Sequence, residues 1–396
     1  MKSKTQDRRG FLALGAGLAG LAACGKQTAP SMIGAGLRAY GERSPREKAA
    51  RDAKESPTPG TGSTRTPLQD LDGMITPSSL HFERHHAGVP DLDGASHEIL
   101  VHGLVERPLV FTMADLRRYP SQSHIYFIEC SGNSRAEWTG SAPDPQQSAG
   151  LMSCSEWTGV PLSALLKEAG LKAGAKWVIA EGGDACMMAR SIPVEKCLDD
   201  ILVAYGQNGE ALRPEQGYPV RLVVPGWEGN INVKWLRRLH VVDQPAMTRD
   251  ETSHYTDLLA DGKARIFTFQ MEAKSIITRP AGKQKLAHGP GRYEITGLAW
   301  SGYGKITRVE ISTDGGKTWA DAELQGPVLP RAATRFRMAW NWNGGAAVLQ
   351  SRCTDDSGYR QPTHDELVTA RGKFSDYHYN GVKSWYVKAD GSVADA

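Results

Sequence analysis

Apolar and polar positions alternate through Glu98-Ile99-Leu100-Val101-His102-Gly103, which predicts a strand and turn within His97 to Val110. Thr112 then stands where a helix cap belongs, ahead of a short helix ending at Leu116. A second strand is predicted from Ser123 to Cys130. Leu162, Leu165, Leu166 and Ala169 recur at helical spacing in front of Gly170, so a helix with a glycine stop follows. Further strands are expected at Lys176 to Ala180, Ile201 to Tyr205 and Val220 to Val224. Around Phe267 the pattern shifts to short alternating runs: Ile276-Ile277, Tyr293 to Trp300, Ile306 to Ser312, Arg335 to Trp340, Ala347 to Cys353 and Trp385 to Val387. Asp314-Gly315-Gly316 reads as a hairpin turn among them. These runs predict an all-β, immunoglobulin-like sandwich over residues 267–396, behind an α+β region over 71–266. No internal repeat is evident.

Residues 25–70 are rich in Pro, Gly, Ser, Thr and charge without apolar periodicity, which predicts a linker or an arm lying on another surface. Ahead of it, Arg8-Arg9 and the apolar run Phe11 to Ala23 have the form of an export signal over residues 1–24, too short to span a bilayer. The arginine pair resembles a twin-arginine signal, which carries folded, cofactor-loaded proteins; an ordinary secretory peptide is the alternative. Leu21-Ala22-Ala23-Cys24 also has the form of a lipoprotein cleavage site, so a soluble periplasmic product and one anchored through lipidated Cys24 both stay open. The formal charge of +3 arises within this signal, from Lys2, Lys4, Arg8 and Arg9 against Asp7. The near-neutral remainder gives no reason to expect nucleic acid.

Six cysteines in 396 residues are too sparse for a disulfide scaffold, and the pairing of Cys154, Cys186, Cys197 and Cys353 is left open. No Cys-x-x-Cys or Cys-x-x-Cys-His spacing occurs, so no zinc ribbon or c-type haem is expected within the chain. One cysteine has a distinctive setting. In Phe127-Ile128-Glu129-Cys130-Ser131-Gly132-Asn133-Ser134-Arg135 a thiol ends a strand, a Gly-Asn turn follows, and Arg135 comes five positions later. That arrangement places a soft metal ligand beside an anion-binding group, although a lone cysteine is more often only a small buried residue. Phe82-Glu83-Arg84-His85-His86 supplies an arginine-histidine loop suited to an anion, and the run Gly217 to Leu239 places Arg221 and Lys234 at the ends of a buried strand and its loop.

With those motifs in order, the chain from about residue 71 onward resembles the sulfite oxidase family of molybdenum enzymes, and within it the sulfane dehydrogenases. The resemblance implies a molybdenum cofactor (Mo-molybdopterin) with Cys130 as the protein thiolate on the metal. It implies that Arg84 and Arg135 line an oxyanion pocket and that Tyr255 is the active-site tyrosine. His86, Arg221 and Lys234 are implied as cofactor-binding residues. The implied reaction is oxidation of sulfane sulfur bound to a cysteine of a carrier protein. Electrons would pass to a c-type cytochrome subunit, from a homodimer of this chain within a hetero-oligomer. A free-sulfite dehydrogenase with the same cofactor, and a metal-free interaction module, are the rivals. Three departures from the family pattern stand out. Gln147 occupies a position where a tryptophan is usual, an expected arginine is missing near Trp340-Asn341-Trp342, and Gln216 replaces a histidine. The first two predict a wider, less cationic pocket suited to a substrate on a long arm.

Overall fold

The structure, a computed structural model, describes residues 36–259 and 261–396. The predicted export signal, with Cys24, lies outside the described residues. Contacts divide the chain into a unit ending at Lys48 and one running from Ala49 to Ala396. Described residues 36–48 form no helix or strand and their side chains are exposed.

In the second unit, Asp52–Glu55, Gly62–Arg65 and Glu83–His85 make a three-stranded antiparallel sheet. The expected linker over 25–70 is therefore corrected in its last part, which enters the fold as a hairpin. Its Gly, Ser and Thr content hid the hairpin because half-buried polar strands carry no apolar alternation.

Two larger sheets form the first domain. In one, Gln122–Glu129, Met152–Pro161, Leu202–Gln207 and Glu210–Ala211 lie side by side, with Arg221–Val223 also paired to Leu202–Gln207. In the other, the order is Leu109–Thr112, Glu98–Gly103, Leu236–Val242, Trp177–Gly182, Ala189–Pro193, and Leu236–Val242 runs parallel to Glu98–Gly103. The predicted helix is present as Leu162–Ala169, burying Leu162, Leu165, Leu166 and Ala169 against Ile99, Val101, Val178 and Leu239. Thr112 caps Met113–Leu116 through a reciprocal capping box with Asp115.

The second domain is a sandwich of a four-stranded and a five-stranded sheet. Gly291–Trp300 pairs with Lys274–Arg279 and Thr334–Trp342 on one side, and Ile306–Ser312 with Ala347–Asp355 on the other. Trp300, Phe336, Trp385 and Leu349 fill the space between the sheets, and Phe127, Met152 and Cys154 of the first domain join the same apolar cluster. The two domains thus share a core. The domain is not purely β: Thr363 caps a helix over His364–Arg371, which buries only Leu367 and Arg371 and so shows no apolar stripe in sequence.

All five described cysteines are free thiols. Among the described residues no helix is long and apolar enough to cross a membrane.

Candidate active site

Strand Gln122–Glu129 ends at Cys130, whose N–H donates to Leu151 O at 2.9 Å and whose carbonyl accepts from Asn133 N at 2.8 Å. The turn Gly229–Ile231 passes directly over this point. A Cβ on Gly229 would sit 2.9 Å from Glu129 O and 3.2 Å from Cys130 Cα, so only glycine allows the approach. Behind the thiol, Glu129 is fixed from the second domain: Lys274 Nζ donates to its carboxylate at 3.2 Å and Trp300 Nε1 at 2.6 Å.

Cys130 opens into a cavity that is also lined by Arg84, His86, Arg221, Lys234 and Tyr255. Six of the seven residues singled out in the sequence therefore converge. Burial holds the Cys130 thiol above its ordinary pKa, while Arg84 and the Gly132 N–H oppose the shift. Tyr255 sits at φ 52°, a strained left-handed conformation, with its hydroxyl 2.7 Å from His86 Nε2 and the Arg190 guanidinium 5.2 Å over its ring. Burial, with the nearby Cys130, pushes the phenol well above its usual range. Burial and the Arg84 charge depress His86 to about 3. At neutral pH the pair is a neutral phenol on a neutral imidazole.

The cations share one feature. Among the described residues, none of Arg84, Arg221 and Lys234 forms an ion pair with a carboxylate. Arg221 donates to the carbonyls of Gln216 at 2.8 Å and Asn232 at 3.0 Å, and burial lowers it to about 9. Lys234 Nζ donates to Glu215 O at 3.0 Å and to His85 Nδ1 at 2.8 Å; burial and Arg221 hold it well below its normal value. Buried positive groups that lean on carbonyls instead of carboxylates await an anion. Two buried acceptors in the same wall also lack partners, His81 Nε2 and Asn230 Oδ1. His81 Nδ1 must donate to Phe82 O, 3.0 Å away, which leaves a lone pair on Nε2. A soft ligand, an anion cradle and free acceptors for N–H groups fit a phosphate-bearing pterin dithiolene that carries a metal. No cluster of three or more His, Cys, Asp or Glu able to hold a metal ion occurs among the described residues.

Arg135 is the exception to the convergence. Ser134 adopts φ 63°, and the one-turn helix Arg135–Trp138 that follows turns the arginine outward, where it is largely exposed and paired with Asp376. Its position near the cavity is indirect. The backbone N–H groups of Asp376 and Tyr377 donate to Asp257 Oδ1 at 2.9 and 3.3 Å, and the Tyr377 ring lies 5.6 Å from Tyr255. Arg135 thus braces a loop of the second domain against Tyr255.

Two of the three departures also lie elsewhere. Gln147 belongs to the helix Pro145–Ala149 and donates to Asp52, and Trp340 and Trp342 are buried in the sandwich core. Neither of these stretches lines the cavity. Gln216 does line it, donating to Phe82 O at 2.9 Å. Sequence reasoning missed His81, Asn230 and Tyr377. His81 stood beside the arginine-histidine loop and Asn230 within the run Gly217 to Leu239, whereas Tyr377 carried no local signal.

Residues 86–249 match the oxidoreductase molybdopterin-binding domain and residues 265–383 the Mo-co oxidoreductase dimerisation domain. The chain is 33% identical over 302 residues to a nitrate reductase [NADH] of Ulva prolifera and 35% identical over 343 residues to nitrate reductase [NADH] 1 of Arabidopsis thaliana. These alignments cover 68% and 75% of this chain but only 34% and 36% of those proteins, so the chain spans about a third of their length. Among solved structures it resembles the sulfane dehydrogenase SoxCD from Paracoccus pantotrophus, with 46% identity and a TM-score of 0.90 over 93% of this chain and 97% of that one. Both domain matches and this near-complete likeness agree with the cavity built around Cys130: the chain belongs to the sulfite oxidase family of molybdenum-cofactor oxidoreductases.

Proposed function

We propose that this enzyme oxidises sulfane sulfur presented on a cysteine of a carrier protein and passes the electrons singly to a c-type cytochrome. The observation that carries the reading is the 46% identity over nearly the whole chain to a sulfane dehydrogenase. When bound, the molybdenum cofactor supplies a two-electron centre able to deliver an oxygen atom to sulfur. The protein's own residues position and neutralise. Arg221 and Lys234 hold the anionic end of the cofactor, and Cys130 anchors its metal in place of a proton. Arg84, which carries charge beside the thiol, stabilises the anionic oxygens that accumulate on the substrate. The neutral Tyr255–His86 pair offers a hydrogen bond to the oxygen being transferred. The second domain matches a dimerisation domain, which supports a homodimer, and the export signal supports a periplasmic location.

Oxidation of free sulfite is the second reading, favoured by Arg84, which faces the cavity without a carboxylate partner among the described residues. Steady-state reduction of cytochrome c by the molybdenum-loaded protein separates the two. Carrier-bound sulfane should be turned over with the higher kcat/KM; efficient turnover of micromolar free sulfite, with none of the carrier substrate, would overturn the first reading.

A further inference from the structure

From Asn230 in the cavity wall a run of buried charged side chains leads into the second domain. Asn230 Nδ2 donates to Glu228 Oε2 at 2.9 Å, and the same oxygen lies 3.4 Å from His378 Nε2. On the far side of that imidazole, Nδ1 is 3.6 Å from Glu272 Oε2, and Glu272 is salt-bridged to Arg371. Glu272 and Arg371 then face an open cleft with Arg265, Thr268, Tyr359 and Glu366, none of which lines the cavity. A line of hydrogen-bonding groups therefore joins the cavity to a separate opening.

Polar atoms without protein partners recur along this line. His378 Nδ1, Glu272 Oε2 and Arg371 Nη1 are all buried without a hydrogen-bond partner. Orphaned donors and acceptors strung along one route are places for ordered water, and a 3.6 Å gap between an imidazole nitrogen and a carboxylate is bridged most readily by one. Stability alone does not account for the arrangement, because a buried ion pair is often no more stabilising than apolar side chains of the same volume. His378 is held in place at φ 56°, its N–H donating to Ser131 O at 2.8 Å.

The charges along the line suit transfer. Burial by itself would lower the imidazole, but its contacts with Glu228 and Glu272 raise it to about 9. Arg190, 3.2 Å from Glu228, and Arg371, on Glu272, balance the two carboxylates. With a proton on each nitrogen and a carboxylate on each side, the ring passes one proton outward and receives another from within, and no net charge accumulates.

We propose that Glu228, His378 and Glu272 form a proton exit line that carries protons released by substrate oxidation from the cavity to the cleft at Glu272 and Arg371. This rests on the proposed reaction, R–S⁻ + H₂O → R–SO⁻ + 2H⁺ + 2e⁻. An S–O bond forms, both O–H bonds of water break, sulfur gives two electrons to the external acceptor, and the protons leave by the line. Sulfite oxidation to sulfate releases the same two protons, so the line serves either sulfur substrate.

The test uses the molybdenum-loaded full chain with cytochrome c as acceptor, comparing wild type with His378→Gln and Glu272→Gln. His378→Gln should lower kcat by about tenfold or more, with KM and molybdenum content unchanged and a larger solvent deuterium isotope effect. Added imidazole should restore part of the rate, and Glu272→Gln should show a smaller loss of the same kind. Wild-type kcat and isotope effect in the variants, or a loss that tracks molybdenum content with no change in isotope effect, would overturn the proposal. If His378→Gln fails to fold, Glu272→Gln, at the less buried end, decides. A loaded wild type that turns over neither sulfur substrate would instead overturn the reaction itself, and with it the source of the protons.

Discussion

Burial raises the Cys130 thiol, so the proposed ligation would replace its proton with metal, and oxygen in place of sulfur would be a poor match for a soft centre. Cys130→Ser should keep the wild-type circular dichroism spectrum and lose substrate oxidation; undiminished turnover would refute ligation at this position. The histidines around the cavity give the protein a pH signature of its own. His81 and His86 are each depressed to about 3, so the unfolded chain takes up protons that the fold refuses as pH falls below about 6.5. Their contribution to stability is present above that value and is lost on acidification toward 3. His378 has the opposite sign: its contribution is full below about 6.5 and disappears as pH rises through about 9. Thermal unfolding of the cofactor-free protein should therefore occur at lower temperature on both flanks, and His378→Gln should flatten the alkaline flank alone. At this scale the sequence was informative wherever a residue's neighbours in the chain are also its neighbours in space. Where Arg135 points was not legible, because a left-handed Ser134 precedes it, a torsion that no residue type announces.

Elements were legible in proportion to how one-sided their burial is. The helix Leu162–Ala169 and the strand Glu98–Gly103 bury alternate faces cleanly and were readable from spacing. Strand Met152–Pro161 was not, since it is buried on both sides with serines among its core residues: Ser153 meets Thr66 at 2.6 Å and Ser155 accepts from Gln207 at 3.0 Å. Leu236–Val242 was obscured by a register shift between Leu236 and Arg238, which breaks the period of two. The turn Gly229–Ile231 matters most for the site, because it presses on the end of the strand carrying Cys130. Gly229→Ala forces a Cβ against backbone that has no room to yield. It should cost about 1–3 kcal/mol, visible as a lower urea midpoint together with reduced molybdenum content. Full cofactor loading in that variant would show that the contact does not position the thiol.

Across the whole molecule, the second domain is part of the active site's support. Lys274, in the first strand of the sandwich, is nearly fully buried and donates to Glu129 and to Ser134 Oγ at 2.7 Å, on both sides of Cys130. Lys274→Met would leave the Glu129 carboxylate without its counter-charge and should destabilise by about 3–5 kcal/mol. Adding Glu129→Gln should recover part of that loss. Equal stability of the single variant and the wild type in urea would show that the domains are held by their shared apolar core alone. The same dependence makes a separately expressed first domain a poor binder of the cofactor.

The sequence by itself determined the α+β and sandwich classes, and its resemblance to a known family picked out Cys130, Arg84, His86, Arg221, Lys234 and Tyr255, which the structure brings to one cavity. These follow from local periodicity and from short motifs kept in a familiar order. Only the tertiary structure decided that Arg135 points outward onto Asp376, that Gln147 and the Trp340–Trp342 stretch lie away from the cavity, and that Lys274 of the second domain reaches Glu129 behind Cys130. Lys274 and Glu129 are joined by packing between strands more than a hundred positions apart, and side-chain spacing along a chain carries no record of such contacts.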